Sequence, residues 1–442
     1  MNKPKFKMKE ADFNKSIKKM KKSIDKFGNH LWTPSNKIKF SNIDTNSWFS
    51  ILESKEKKED FVDHNYDTLK LPKVSYKSKK VTLILKKRQK DIINNWLNSY
   101  ALMFNSSIKF IKNNISTDNK VLNFINLRKS LKKEKQKILQ NSNIYVHSLD
   151  GAIKLACTMY KSALTNKKKG NIKTFRIRYW KKNKENKILD LEKINFTKKG
   201  IRPNILGKMK GFYNGSKFDF SLIDCDCKLQ KTNGNYYLFV PEKIETKISK
   251  KKKNKQITLD PGIRTFLTGI TENKVIKVKD SDNKIKNYLK RKDKIMKNKL
   301  ISDNIKKKNE KMINRKITNL IEDVHWKTIK YLTDNNSTIL MGNMSTKEIS
   351  RKDGNLDKMS KRIGLLFKLY KFKERLKFKC SLNNVSYGEI DEWMTSKMCS
   401  NCGNVDKDLG SNKIYDCKKC KTIMDRDVNG ARNIYIKAIV GK

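Results

Sequence analysis

The chain has 442 residues, with 103 Lys and Arg against 44 Asp and Glu, and a formal charge of +59. That length holds two to four domains with a substantial core, and the absence of any run of eighteen apolar residues excludes a helical membrane span. Charge this one-sided destabilises a compact chain by self-repulsion unless a polyanion screens it, which points to nucleic acid as partner; a compositional bias toward lysine and asparagine inflates the lysine number without explaining the shortage of balancing acids.

Residues 1–75 are polar, basic and weakly periodic, with scattered aromatics (Phe27, Trp32, Trp48, Phe49, Phe61), and read as a partly disordered basic extension. The first 22 residues lack the apolar core of a secretory signal. Residues 81–85 then read as a strand from their β-branched, apolar content. Ile92, Ile93, Trp96, Leu97, Tyr100, Phe104, Ile108 and Ile111 recur at spacings of three and four, the stripe of a buried helix. More helix is expected over 122–139 and 149–162, so that 88–167 forms a helical lobe. Residues 167–170 break it. Beyond them 174–180, 218–223 and 236–240 have strand character, separated by turns at Gly211, Gly215 and Asn233-Gly234. Residues 76–87 and 168–250 are therefore expected to form a small β-barrel into which the helical lobe is inserted. Cys225 and Cys227 lack a partner pair and read as packing. Arg176, Arg178, Lys181, Lys182 and Lys184, interleaved with Phe175, Tyr179 and Trp180, suit a surface that tracks a phosphate backbone and stacks on bases.

The lysines at 250–253 mark a linker, and a last domain runs from 256 to 442. Strands are expected at 256–260, 338–341 and 385–393, and helices at 310–332, 363–378 and 428–439. Two Cys-x-x-Cys pairs, Cys399/Cys402 and Cys417/Cys420, enclose fourteen residues, 403–416, just short of the usual ribbon spacing. Four thiolates match tetrahedral Zn²⁺ with no open coordination position, so this metal is structural. The eight cysteines form no secreted disulfide framework, and a reducing compartment suits them. Asp260 ends an apolar strand ahead of Pro261-Gly262, where an α/β sheet presents ligands, although a turn aspartate would look the same. Asp427 opens the final helix, a place equally suited to an N-cap.

Four segments taken together carry a family likeness: Leu259-Asp-Pro-Gly262, Thr395-Ser-Lys-Met-Cys-Ser-Asn-Cys-Gly403, Cys417-Lys-Lys-Cys420 and Asp425-Arg-Asp-Val-Asn-Gly-Ala-Arg-Asn433. In these the chain resembles the RuvC nuclease domain of TnpB proteins, of type V CRISPR effectors and of their Fanzor relatives. The resemblance covers 256–442 well and 76–250 more weakly; residues 1–75 match no family. It implies a multidomain α+β protein in which an RNase-H-like (RuvC) domain carries a zinc-ribbon insertion at 397–423. It also implies a guide RNA, a double-stranded DNA target with a short flanking motif, Mg²⁺-dependent cleavage, a monomer in the ribonucleoprotein, and a nuclear or viral replication site. Asp260 falls on the family's first catalytic Asp and Asp427 on its last, with Asp425 as the nearby alternative. Gly430 stands where the family usually has Ala.

The family's middle acid, a Glu, falls on Gly342. Fanzor proteins lack that Glu and use a later one, which directs attention to the next strand, Gly388-Glu-Ile-Asp-Glu-Trp393. Neighbouring strands lie about 4.8 Å apart, so a Glu near the end of that strand can reach over the glycine. Alternation puts Glu389 and Asp391 on one face and Ile390 and Glu392 on the other. Glu392 is the first choice and Glu389 the second. Asp260, Glu392 and Asp427 would then hold two Mg²⁺. The competing readings are a nuclease-dead RNA-guided DNA-binding protein, motivated by Gly342, and a zinc-ribbon transposase accessory protein without a guide.

Overall fold

A computed structural model of the chain describes residues 40–42, 50–54, 74–115, 119–181, 186–245, 256–271, 274–280, 283–344, 356–406, 408–410 and 412–440. The N-terminal aromatics, Lys182, Lys184 and the 250–253 linker lie outside these residues. Two units are distinguished, 74–244 and the remainder. Two short strands, β1 (Phe40–Asn42) and β2 (Ser50–Ser54), precede the first of them.

In the 74–244 unit, β3 (Val74–Ile84) leads into α1 (Lys87–Asn114). The Gln89 side chain accepts from the Lys86 backbone N–H at 2.9 Å and so closes the start of that helix. Trp96, Tyr100, Phe104 and Ile108 are fully buried along α1, as the three-four spacing requires. The helix expected over 122–139 is split at Leu131 into α2 (Phe124–Ser130) and α3 (Lys132–Gln140), and α4 (Val146–Lys168) follows. The chain continues through β4 (Lys187–Leu191), β5 (Phe196–Thr197), β6 (Gly200–Ile201), the single turn α5 (Pro203–Leu206), β7 (Lys210–Tyr213), β8 (Ser216–Lys217), β9 (Cys227–Thr232) and β10 (Asn235–Glu245). Six of these strands form one sheet in the order β4-β9-β10-β3-β7-β8. Its end strands β4 and β8 do not pair with each other among the described residues, so the expected barrel is an open sheet here. The Asn233-Gly234 turn joins β9 to β10 with both residues left-handed (φ 49° and 79°), the geometry of a tight hairpin.

Two expected strands are absent. Residues 174–180 run extended without a ladder, because Asn105 of α1 takes the backbone of Trp180 instead: its Nδ2 donates to Trp180 O at 2.9 Å and its Oδ1 accepts from Trp180 N at 2.7 Å. Residues 220–222 make a 3-10 turn, because Asp219 offers a local acceptor to Ser221 N at 3.0 Å. Cys225 Sγ donates to Pro241 O and Cys227 is buried, in keeping with packing.

The second unit is built on a seven-stranded sheet. Its strands are β11 (Gln256–Pro261), β12 (Leu267–Thr271), β13 (Val275–Lys279), β14 (Thr338–Gly342) and β15 (Ser386–Ile390), in the order β1-β2-β13-β12-β11-β14-β15. The pairs from β1 through β11 are antiparallel, and β14 and β15 then add in parallel. Residues 40–42 and 50–54 fall within the extension read as partly disordered, and they form an antiparallel pair of strands that covers the edge of β13.

Helices α6 (Lys284–Lys297), α7 (Asp303–Asn335), α8 (Lys358–Leu366) and α9 (Leu369–Leu382) complete the unit with a small ribbon, β16 (Ile414–Asp416) and β17 (Ile423–Asp425), and the terminal helix α10 (Arg426–Val440). The larger core gathers Leu259, Met341, Ile313, Ile317 and Phe372 from the sheet, α7 and α9. The opposite face of the sheet receives α10, through Ile270, Val275, Val428 and Ala431 and through Leu340, Ile390, Ile434 and Ala438.

The helix expected over 363–378 is broken at Phe367 and Lys368, where Lys368 takes φ 48°. His325 of α7 meets that break. Its ring is buried and stacks on Phe266, Nε2 donates to Phe367 O at 2.8 Å, and Nδ1 accepts from Arg375 Nη1 at 3.1 Å. A neutral imidazole fits these partners, and burial holds its pKa down to about 4 from the usual 6.5. Because the unfolded chain binds the proton first, this contribution is complete above pH 6.5 and is lost as pH falls toward 4. His325→Gln, which keeps a donor but does not titrate, is expected to remove on the order of 3 kcal/mol of the stability lost between neutral pH and pH 4, read as the difference between the two proteins' denaturant midpoints at each pH.

Candidate functional site

The register of the three central strands defines the site. Leu259 of β11 pairs with Met341 of β14, so the next step brings Asp260 level with Gly342, and Gly342 itself pairs with Ile390 of β15. Because these strands are parallel, Asp260 and Gly342 lie at the same end, and residues of one row share a face. That face is the one covered by α10. Glu389 is paired with Met341 in the preceding row and belongs to the other face. There Lys377 Nζ lies 2.7 Å from its Oε1 and Lys373 Nζ 3.4 Å from its Oε2, and the lysines outweigh partial burial to hold its pKa below the usual carboxylate range.

The strand expected to reach 393 ends at Ile390, so Glu392 sits two residues beyond the sheet. One further bond continues the ladder, Asn343 N to Ile390 O at 2.9 Å. The chain then turns, and Glu392 Oε1 accepts from Met344 N at 3.1 Å. Its side chain lies directly over Gly342. A Cβ at that glycine would fall inside the envelope of Glu392 Oε1, 2.6 Å from Cδ and 2.7 Å from Cγ, closer than real side chains approach. The hole left by the glycine is therefore filled by this carboxyl group.

Helix α10 supplies the third acid. Asp425, the last residue of β17, accepts from the backbone N–H groups of Asp427 at 3.0 Å and Val428 at 3.2 Å through Oδ1, and Lys277 Nζ lies 2.6 Å from its Oδ2. Asp425 is thus the cap of the helix, the role that the sequence left open for Asp427. Asp427 stands in the first turn of the helix, bonded to Thr265. Gly430, one turn on, lies against Asp260: a Cβ there would collide with Asp260 Oδ2 and come within 3.3 Å of Cγ.

These placements crowd negative charge. Burial raises the Asp260 pKa well above its ordinary value, and repulsion from Glu392 and then Asp427 raises it further, with Arg426 opposing. Asp427 is also raised, by burial first and then by Asp425, against its bond to Thr265 and the charge of Lys277. Carboxylate oxygens are the hard donors that Mg²⁺ takes, and mutual repulsion of this kind is what a bound divalent cation would offset.

The four knuckle cysteines do form a tight group, with one sulfur from each within 4.8 Å of the others. The Cys399–Cys420 and Cys402–Cys417 sulfurs are 3.7 and 3.5 Å apart. A tetrahedron with Zn–S bonds of about 2.3 Å has edges of about 3.8 Å, so the donor set fits Zn²⁺. The turns agree: Gly403 N donates to Cys399 O at 2.9 Å and Lys421 N to Cys417 O at 2.8 Å, with Gly403 and Lys421 both left-handed. Burial raises the Cys399 thiol against the opposing backbone amides of Asn401 and Cys402, whereas at Cys420 burial is outweighed by the Thr422 bonds, which lower its pKa to about 6. Around them Leu409, Tyr415 and Met424 make a core too small to hold the ribbon alone. Cys417→Ser is expected to lower zinc content, measured by elemental analysis, and to open 397–423 to protease, while hydrogen exchange in the β11–β14 ladder stays at the wild-type rate.

Thr265, Lys277, Asn343 and Lys437 border the acids and were not anticipated from sequence. Thr265, Lys277 and Asn343 are single polar residues with no spacing that marks them, and only the four-residue interval from Asn429 through Asn433 to Lys437 could have drawn attention to the lysine. A family model for the Cas12f1-like TNB domain matches residues 370–434, the stretch that holds Glu392, the four cysteines and Asp427. The TnpB-like protein L770 of Acanthamoeba polyphaga mimivirus is 32% identical over 91% of this chain and 85% of its own length. The TnpB-like protein R854 of the same virus is 31% identical over 91% and 84%. Among solved structures, a Cas12f1–sgRNA–target DNA complex aligns over 82% of this chain and 99% of that chain at 15% identity, with a TM-score of 0.33, too loose a likeness to define the fold. Identity at this level across nine-tenths of the sequence places the chain in the TnpB-like family.

Proposed function

We propose that this protein is an RNA-guided DNA endonuclease whose RuvC-like site consists of Asp260, Glu392 and Asp427. The observation that carries the reading is the seating of Glu392 over Gly342, beside Asp260 and under the helix that bears Asp427. This seating supports a relocated middle acid in preference to a nuclease-dead protein. Within the sheet the run β13-β12-β11-β14-β15, three strands paired antiparallel followed by two added in parallel, is the order expected of an RNase-H-like sheet and supports this reading, and membership in the TnpB-like family supports the class of reaction.

In this reading 256–442 is the nuclease domain, and 74–244 with its lysine-rich surfaces engages the guide RNA and a short flanking motif on double-stranded DNA. Two Mg²⁺ ions, when bound, supply an activated water and stabilise the leaving 3′ oxygen. The chain's own residues do the rest. Asp260, Glu392 and Asp427 concentrate negative charge that divalent cations offset. Asp425 does not join them, because capping and Lys277 occupy its oxygens. Glu389 is turned away and neutralised by lysines. The ribbon, structural through its closed Cys₄ set, lies in sequence between Glu392 and Asp427 and fixes the loop that joins them.

RNA that co-purifies with the full chain, once sequenced, defines a matching target, and a library of flanking sequences supplies the motif. With that target, Glu392→Gln, Asp260→Asn and Asp427→Asn are each expected to reduce Mg²⁺-dependent cleavage by more than about 100-fold, beyond the effect of residues that only support metal ligands, with target binding retained. Gly342→Ala is expected to do the same by displacing Glu392, and Glu389→Gln to cleave normally. Wild-type cleavage by Glu392→Gln would sink the assignment.

A further inference from the structure

An acid on a strand is fixed by its ladder; an acid two residues past the end is not. Something else must hold Glu392, and the terminal helix carries a feature that the reading above leaves unused. Asn429, Asn433 and Lys437 follow one another at intervals of four along α10, which places them on one stripe. Asn429 and Asn433 are completely buried, a costly position for an amide without partners. The bonds of all three run to one segment, 391–400.

Asn429 Nδ2 donates to Met398 O at 2.7 Å, and its Oδ1 accepts from Ser400 N at 2.9 Å. Asn433 Nδ2 donates to Thr395 O at 2.7 Å and to Met398 O at 2.6 Å. Lys437 Nζ donates to Asp391 O at 3.2 Å and to Trp393 O, and pairs with Asp391 Oδ2 at 3.3 Å. The residues held by Lys437 are thus the two neighbours of Glu392. Thr395, whose carbonyl is held by Asn433, returns its own Oγ1 and N to Glu392 O at 2.8 and 3.2 Å. Glu392 is bracketed on both sides by bonds that end on α10, whose first turn carries Asp427.

We propose that Asn429, Asn433 and Lys437 are positioning residues: a polar ladder by which one helix sets both Asp427 and the loop-borne Glu392. The proposal rests on the assignment of those acids as metal ligands. It touches no substrate. It accounts for amides buried at the first and second steps of the helix stripe, where apolar side chains would be buried at lower cost. It also gives the relocated acid the rigidity that a strand would have provided.

The decisive variant is Lys437→Met, which keeps the length of the stem at the edge of the ladder and removes its donors; Asn433→Ala is the stronger but riskier change. Two measurements on the full-length chain need no guide RNA: Mn²⁺ binding followed by electron paramagnetic resonance, and hydrogen exchange by peptide. Lys437→Met is expected to weaken Mn²⁺ binding about 10-fold, within the range for residues that support metal ligands, and to speed exchange within 391–398 while the β11–β14 ladder stays protected. Lys437→Arg, which still donates to carbonyls, is expected to restore both. Unchanged Mn²⁺ affinity and unchanged exchange at 391–398 in Lys437→Met would overturn the proposal, as would faster exchange spread through the whole sheet. Glu392→Gln separates the two levels. If it alone retains wild-type Mn²⁺ binding and cleavage, the assignment of the acid fails, even where the loop is loosened by Lys437→Met. If it loses both while Lys437→Met loses neither, the ladder alone fails.

Discussion

Like charges held close together and out of water raise one another's energy, and Asp260 is where this chain concentrates that cost. Its carboxyl is half-buried, is repelled by Glu392 and Asp427, and is driven well above its normal pKa by the combination. The surrounding architecture is arranged around this point. Parallel β11 and β14 end side by side, so that Asp260 and the space over Gly342 open on one face. Two glycines, Gly342 and Gly430, leave the room that the Glu392 and Asp260 carboxyl groups fill. Asp425 and Lys277 neutralise each other at the start of α10, which fixes Asp427 without adding a further free charge to the cluster.

Moving an acid from a strand to the loop after a neighbouring strand changes what must hold it. On a strand the backbone is fixed by ladder bonds on both sides. Beyond the strand the backbone depends on local contacts, and the segment from Asp391 to Ser400 is tied along its length to one helix. Glu392 and Asp427 are 35 residues apart in sequence, and the four-cysteine ribbon occupies most of that interval. With a metal on its sulfurs such an insertion would let two acids far apart in the chain share one helix as their common support, because the loop between them would have little freedom to pull them apart.

The acids themselves illustrate how much was legible. Asp260 ended an apolar strand ahead of Pro-Gly, where a turn aspartate would look the same, and only the family resemblance singled it out; the cysteines stood out because their spacing matches a coordination geometry. The choice between Glu389 and Glu392 was reduced by alternation to a question of face, and Glu392 was preferred for its nearness to the strand end. What alternation could not supply was the pairing of Gly342 with Ile390. A slip of one residue would have turned every side chain of β15 to the other face. The expected strands at 174–180 and 218–223 failed for a related reason: Asn105 and Asp219 offered the backbone partners that no pattern of apolar residues reveals.

The sequence by itself determined what depends on local spacing and composition: the one-sided positive charge, the helical stripe from Ile92 to Ile111, the four-cysteine set, and the two aspartates near the ends of elements. Tertiary structure alone decided what depends on which residues of distant segments come level with one another. It assigned the cap to Asp425 and left Asp427 in the first turn beside Thr265, it turned Glu389 to the lysines of α9, it joined residues 40–42 and 50–54 to the sheet edge, and it laid Glu392 over Gly342. The reason is physical: a side chain's type and period are written in its neighbours along the chain, whereas register and face are set by packing between segments that the sequence does not order in space.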